Sequence, residues 1–215
     1  MSSGAGAPAG HVSQASYSPW KATHTMTRHE SKLCKRYNIP RHAHYLTFSC
    51  FQRRPFLAKD RSRQWLVNAI RRARTLHDFH LWAWVIMLEH VHLILWPQRE
   101  SYSISEILTS IKKPVTNAAL RHVRRHAPLF LEFMRDTQPD GSVSYRFWQR
   151  GGGYDRNLVT ADEIWEKIAY LHKNPVRRGL AQRPEDWSWC SAQDYSNARE
   201  IPLLPLDREG IPSLW

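Results

Sequence analysis

The run from Leu81 to Trp96, LWAWVIMLEHVHLILW, constrains the fold more than any other part of the chain. It is apolar except for Glu89, His90 and His92, and it is shorter than the ~20 residues that span a bilayer. Such a run has to be buried in a protein core. Leu81–Met87 and His90–Trp96 read as two strands, the first apolar enough to be covered on both faces. Only Leu88 and Glu89 separate them, which predicts a tight hairpin although neither residue is a favoured turn former.

The remaining elements follow from local pattern. The segment 44–51, HYLTFSCF, is β-branched and aromatic and predicts an earlier strand, ended by Arg53-Arg54-Pro55. Trp65, Ala69, Ala73 and Leu76 recur at helical spacing and predict a helix over 61–76. Ser103 and Glu106 form a capping box ahead of an apolar face of Ile104, Ile107, Leu108 and Ile111, and Pro114 predicts a kink or a second helix start. The loop 136–142, DTQPDGS, is turn-rich. A strand broken by Gly151-Gly152-Gly153 is expected between Ser144 and Leu158. Thr160 and Glu163 form a second capping box, opening a helix that ends at Asn174-Pro175. The order strand, helix, strand, strand, helix, strand, helix predicts an α+β fold, with a mostly antiparallel sheet and helices packed on one face.

The chain has 215 residues, enough for one domain with tails. A Ser-, Ala-, Gly- and Pro-rich start predicts a disordered leader over 1–30, ahead of a domain over 31–196 and a tail over 197–215. The formal charge is +12 and aromatics make up 12 %, a combination that points to a polyanion, with nucleic acid the leading partner. Cys34, Cys50 and Cys190 are far apart and form no C-x-x-C pair. This excludes a disulfide framework and a cysteine zinc site, and it implies a reducing cytosol. No charged start leads into an apolar run, so no signal peptide is expected.

Three sets of residues could carry chemistry. His90 and His92 alternate with Val91 on a strand, so both point to one face and could share a divalent metal, although a wetted sheet face is the plainer reading of an H-x-H pair alone. Tyr170 and Asn174 lie four apart on a helix, with Glu166 one turn earlier, and a tyrosine beside a metal can serve as a nucleophile. A tyrosine packed on the core is the plainer reading. Third, Arg53, Arg54, Lys112, Lys113, Gln149, Arg150 and Arg156 stand among Phe51, Tyr145, Phe147, Trp148 and Tyr154, a mixture suited to single-stranded nucleic acid. The glycine triplet lacks the Lys and Ser/Thr of a P-loop.

Taken together, HYLTFSCFQRRPFL (44–57), AWVIMLEHVHLIL (83–95), FWQRGGGYDRNL (147–158) and AYLHKNPVRRGLAQRPEDWSWCS (169–191) resemble the single-tyrosine HUH transposases, and more closely the REP-associated tyrosine transposases. The resemblance covers about residues 42–195. It departs at Leu88, where members commonly have Pro, at the glycine triplet, and at 124–146, which reads as an insertion adding basic surface. It implies a ferredoxin-like fold with His90 and His92 as metal ligands, Asn174 completing the site and Tyr170 as catalytic tyrosine. It implies Mg²⁺ or Mn²⁺ as cofactor and single-stranded or hairpin DNA as partner. The implied reaction is nicking and strand transfer through a covalent 5′-phosphotyrosine, in DNA transposition and recombination. The protein would be cytoplasmic and nucleoid-associated, with monomer and homodimer both compatible. Two rivals stand beside this reading. One is a non-catalytic protein that binds single-stranded or hairpin DNA. The other is a zinc hydrolase using Glu89, which a regular strand would point away from His90.

Overall fold

The computed structural model describes residues 36–151 and 153–213, so the leader, Cys34 and Gly152 lie outside the described residues. Strand β1 (Ala43–Ser49) is followed by helix α1 (Asp60–His77), the hairpin β2 (Phe79–Ile86) and β3 (His90–Pro97), and helix α2 (Ile104–His126). A short α3 (Leu131–Met134) and a separate hairpin, β4 (Arg135–Thr137) with β5 (Val143–Tyr145), come next. Strand β6 (Tyr154–Leu158), helix α4 (Ala161–His172), α5 (Asn174–Arg177) and α6 (Ala192–Tyr195) complete the order.

The main sheet is antiparallel throughout, in the order β2-β3-β1-β6. With α1 and α2 as the crossing helices this is a ferredoxin-like β-α-β-β-α-β arrangement, and α3 with the β4–β5 hairpin is inserted between α2 and the last strand. The α+β fold is the one expected.

Strand alternation divides the core in two. Leu46, Phe48, Val91, Leu93 and Leu95 face α1 and α2, while Ala43, Tyr45, Val85 and Ile94 face Ile164, Ile168 and Leu171 of α4. Helices on one face describes α1 and α2 correctly; α4 lies against the other face. The reason is in the β2–β3 run itself, whose two apolar faces both need cover.

Three local expectations are corrected. The buried face of α1 is Leu66, Ala69, Ile70 and Ala73, whereas Leu76 is 61 % exposed. Helix α2 runs through Pro114 as one element, with Pro114 on its exposed side. The strand expected across the glycine triplet is two strands in two sheets, because Gly151 (φ +82°) and Gly153 (φ +74°) turn the chain between β5 and β6. The helix opened by Thr160 ends where expected, at His172 with Lys173 as its cap, and Asn174-Pro175 opens the separate short helix α5.

The Leu88-Glu89 turn closes without Pro or Gly because its carbonyls are used elsewhere. Leu57 N–H donates to Leu88 O at 2.9 Å and Cys50 N–H to Glu89 O at 2.7 Å. The D-W-x-W-x-S block covers the outer edge of β2: Ile86 N–H donates to Trp189 O, and Ser191 Oγ meets both the N–H and the C=O of Trp84. The segment after α6 packs on the same domain, with Leu204 in the core and the Asp207 carboxylate accepting from Leu81 N–H at 2.8 Å. No helix among the described residues is long and apolar enough to cross a membrane.

Candidate functional site

His90 and His92 stand side by side on the α4 face of β3, their rings edge to face with centroids 4.8 Å apart. Both are buried. The pairing of β1 with β3 sets Thr47 directly opposite His92. Thr47 Oγ1 lies 2.7 Å and Tyr45 Oη 2.8 Å from His92 Nδ1, and the Tyr45 ring is stacked on the imidazole. On the other side of the ring, the Asn174 amide nitrogen is 3.0 Å from Nε2. These partners place the proton on Nδ1, donating to the two hydroxyl oxygens, and leave the Nε2 lone pair facing Asn174. Burial, with His90 next in weight, pushes the His92 pKa down to about 3, so the ring is neutral at physiological pH.

Glu89 does not point away from His90. It sits in the turn, not on the strand, and its Oε1 is 3.2 Å from His90 Nδ1 and 2.8 Å from the Arg178 guanidinium. Burial works to raise its pKa, but the His90 hydrogen bond and charge, with Arg178, outweigh it and hold the carboxyl below its usual value. A carboxylate accepting from Nδ1–H presents Nε2 of His90 with its lone pair free. The donor set at this place is therefore two imidazole Nε2 atoms and the Asn174 side chain, whose carbonyl oxygen takes the place of its nitrogen on a half-turn of the amide. Two nitrogens and one amide oxygen suit a divalent ion of the Mn²⁺ type better than calcium. Among the described residues, no cluster of three or more His, Cys, Asp and Glu side chains is arranged for a metal.

Tyr170 projects from α4 onto this pair. Its ring centroid is 6.3 Å from that of His92 and 6.4 Å from that of Tyr45, and the side chain is 40 % exposed, open to a large substrate. The Arg177 guanidinium lies 4.8 Å from the ring centroid and the Lys167 ammonium 5.8 Å. Glu166 is turned outward and pairs with Lys167 at 2.6 Å. Tyr45, by contrast, is buried, which pushes its phenol up to about 12 and keeps it neutral.

The other seven candidates divide. Lys112, Lys113, Gln149 and Arg150 line one cleft of about 520 Å³ together with Arg36 and Arg146. In it Lys112 donates to Gly151 O at 3.3 Å, and burial, with Arg36 nearby, pushes its pKa down to about 8. Arg53 and Arg54 follow β1, where Arg54 donates to Phe133 O in the inserted region. Arg156 lies on β6 and is paired with Glu163 at 2.6 Å. Of the interleaved rings, Phe51, Phe147 and Trp148 belong to the core, while Tyr154 is 50 % exposed beside Tyr45. Sequence reasoning missed Tyr45, Thr47 and Arg177, and it misplaced Glu89. Cross-strand register, which brings the first two to His92, leaves no mark in sequence spacing.

No protein-family model matches the chain, and no curated protein matches it. Among solved structures, a REP-associated tyrosine transposase bound to a REP hairpin superposes with a TM-score of 0.59 at 19 % identity, covering 88 % of this chain and 99 % of that one. A protein from Deinococcus radiodurans R1, provisionally named a transposase, gives a TM-score of 0.39 at 17 % identity over 69 % of this chain and 97 % of its own, too low to carry weight. At such identities the likeness establishes architecture, and that architecture is the one its motifs resemble. The chain has the fold of a REP-associated tyrosine transposase.

Proposed function

We propose that this chain is a transposase-type enzyme that nicks and rejoins single-stranded or hairpin DNA through a covalent phosphotyrosine on Tyr170. One observation carries the reading: Tyr170, His90, His92 and Asn174, from two separate parts of the chain, meet at one partly open place. The fold shared with a hairpin-bound transposase supports it.

In this reading the Tyr170 Oη attacks the scissile phosphorus, the P–O3′ bond breaks, and the 3′-oxygen takes up a proton as it leaves. The phenolic proton is lost to solvent or to the leaving oxygen. The DNA then carries a 5′-phosphate esterified to Tyr170, and attack by a 3′-OH restores a phosphodiester. Arg177 and Lys167 flank the ring and lower the cost of negative charge on the phenol and the phosphate. Tyr45 and Thr47 hold His92 by Nδ1, and Glu89 holds His90 by Nδ1, so both rings present Nε2. Mg²⁺ or Mn²⁺ bound by His90, His92 and Asn174 would supply charge neutralisation at the scissile phosphate.

The zinc-hydrolase reading is weaker for a reason the strand argument did not supply. The Glu89 carboxylate is occupied by His90 and Arg178, which suits a positioning role and not a general base. A non-catalytic DNA-binding protein is the remaining rival. Incubation of the wild type with a labelled hairpin oligonucleotide and Mn²⁺ separates them. The expected result is a denaturant-resistant adduct that mass spectrometry places on the peptide containing Ile168-Ala169-Tyr170, absent in Tyr170→Phe. Cleavage with no adduct at any time overturns the reading in favour of water as nucleophile, and hairpin binding with no cleavage favours the binding protein.

A further inference from the structure

The inserted region carries apolar surface as well as charge. Leu129 is 87 % exposed, Phe133 45 % and Phe130 39 %, three large apolar side chains within five residues. The Phe130 and Phe133 ring centroids are 5.3 Å apart and Phe130 is 5.6 Å from Phe56, so the patch is continuous. Phe130 also lines a slot of about 190 Å³, walled by Phe56, Trp65, Val123, Met134 and Phe147. The slot lies between the start of α1, the end of α2 and α3. A cavity of roughly 150 Å³ holds one benzene ring, so this slot takes one aromatic side chain.

Cations rim this surface. The polar members of the slot are Lys59, Arg61, Ser62 and His122. Among the described residues Arg54, Lys59 and Arg61 form no ion pair with a carboxylate. Asp60 is paired with Arg63, and Glu132 with Arg135. Arg61 donates instead to the imidazole of His122, and the Arg54 guanidinium lies 5.4 Å from the Phe133 ring centroid. Such a surface suits a partner that is apolar at its centre and anionic at its edges. A nucleobase fits it poorly. The base would bury its polar edges against hydrocarbon walls, and the Ser62 hydroxyl is already spent on Lys59 O at 2.7 Å. A second copy of this chain would set a charge of +12 against +12.

We infer that this patch docks an acidic amphipathic helix of a partner protein, which seats one aromatic side chain in the slot and sets its carboxylates against Arg54, Lys59 and Arg61. A helix is the fitting shape because the trough between two helix ends takes a third helix by ordinary ridge-and-groove packing, with a single anchor reaching inward. Leu129 and Phe133 extend the apolar contact beyond the slot. The patch belongs to the α1 and α2 side of the sheet, and His90, His92 and Tyr170 lie on the other, so a docked helix leaves the Tyr170 site open. The inference does not depend on the chemistry proposed for Tyr170.

The test uses the full chain and a fluorescein-labelled peptide of about 14 residues, four helical turns, built from Glu, Ala and Leu with one central Phe. Anisotropy compares it with the same peptide carrying Ser for the Phe, and with one carrying Lys for every Glu. One protein variant combines Leu129→Ser with Phe133→Ser, and a second combines Lys59→Gln with Arg61→Gln. All four side chains are exposed, and the unfolding midpoint checks that the fold is kept. The acidic Phe peptide is expected to bind wild type, and to lose about tenfold or more in affinity when its Phe, or the Leu129 and Phe133 pair, is removed. The Lys59 and Arg61 variant should bind it more weakly and with a shallower salt dependence, and the Lys peptide should not bind. No binding of the acidic Phe peptide overturns the inference. So does equal affinity for the Phe and Ser peptides, or for wild type and the Leu129 and Phe133 variant, which would leave only unspecific charge attraction. A dimer seen in sedimentation velocity and lost in that variant overturns it in favour of a second copy. A tenfold loss of hairpin DNA affinity in that variant overturns it in favour of DNA.

Discussion

The Asn174 side-chain amide lies 3.0 Å from Nε2 of His92, joining a residue at the start of α5 to a strand 82 positions earlier. The helix break at Pro175 makes this possible. Pro175 has no N–H to continue the ladder, and Asn174 opens a new helical turn directly over the histidine pair. The amide can present either nitrogen or oxygen to the space beside Nε2. Asn174→Ala is expected to weaken Mn²⁺ binding about 10- to 100-fold, and Asn174→Asp, which adds a hard anionic oxygen, to restore or exceed it. Titration of the apo-protein followed by electron paramagnetic resonance of free Mn²⁺ measures both; equal affinity in all three proteins would remove Asn174 from the site.

Gly153, just ahead of the edge strand β6, abuts the residue that holds the same site. A Cβ added there would stand 2.0 Å from Thr47 O, and the residue has φ +74°. Thr47 is the residue whose hydroxyl holds His92 Nδ1. Gly153→Ala should therefore push β6 away from β1, lowering stability by roughly 1–3 kcal/mol from backbone strain alone. It should weaken Mn²⁺ affinity in proportion to the lost His92 contact. Gly151→Ala, with open space around its Cβ position, should leave Mn²⁺ binding intact. Urea denaturation and the Mn²⁺ titration together check the pair.

Lys112 is expected to set a pH limit on the proposed DNA binding. Burial, and then the Arg36 charge, depress its pKa to about 8 from the ordinary 10.5, so the ammonium loses its proton as pH rises through about 8. The expected contribution of Lys112 to phosphate binding would be present below that pH and lost above it. Wild-type affinity for a hairpin is expected to fall between pH 7 and 9. Lys112→Arg should hold its affinity across that interval, and Lys112→Met should be weaker but flat. A pH profile with the same slope in all three would show that the cleft does not hold DNA through this residue.

Ser191 is fully buried, and its hydroxyl lies within 3.1 Å of Trp84 N, Trp84 O and His172 Nε2. Trp84 O keeps its bond from the Ser191 backbone N–H, but Ser191→Ala leaves Trp84 N–H and His172 Nε2 without this partner and should cost about 1–3 kcal/mol. The loss is expected in the unfolding midpoint at an unchanged m-value, with phosphotyrosine formation intact at temperatures where the variant is folded. A change of less than a few tenths of a kcal/mol would mean that the edge of β2 is held by Trp187 and Trp189 instead.

Short-range order was legible from the residues alone. The Thr160 capping box forms reciprocally with Glu163, because both partners lie within one turn. His90 and His92 share a face because strand side chains alternate, and Tyr170 and Asn174, four apart in sequence, both reach His92. The apolar segment Leu81–Met87 predicted its own burial on both faces. Tertiary structure alone decided what surrounds those residues. The β1–β3 register puts Thr47 opposite His92, and a one-residue slip would have turned Tyr45 and Thr47 to the α2 face. The turn, closed by carbonyl bonds to Cys50 and Leu57, brings Glu89 back to His90 instead of away from it. The packing of α4 on the second apolar face carries Tyr170 to His92. Contacts within four residues are written in the local code of propensity and period. Those between strands, and between sheet and helix, depend on register and on which face is left to bury, and only the folded chain as a whole settles these.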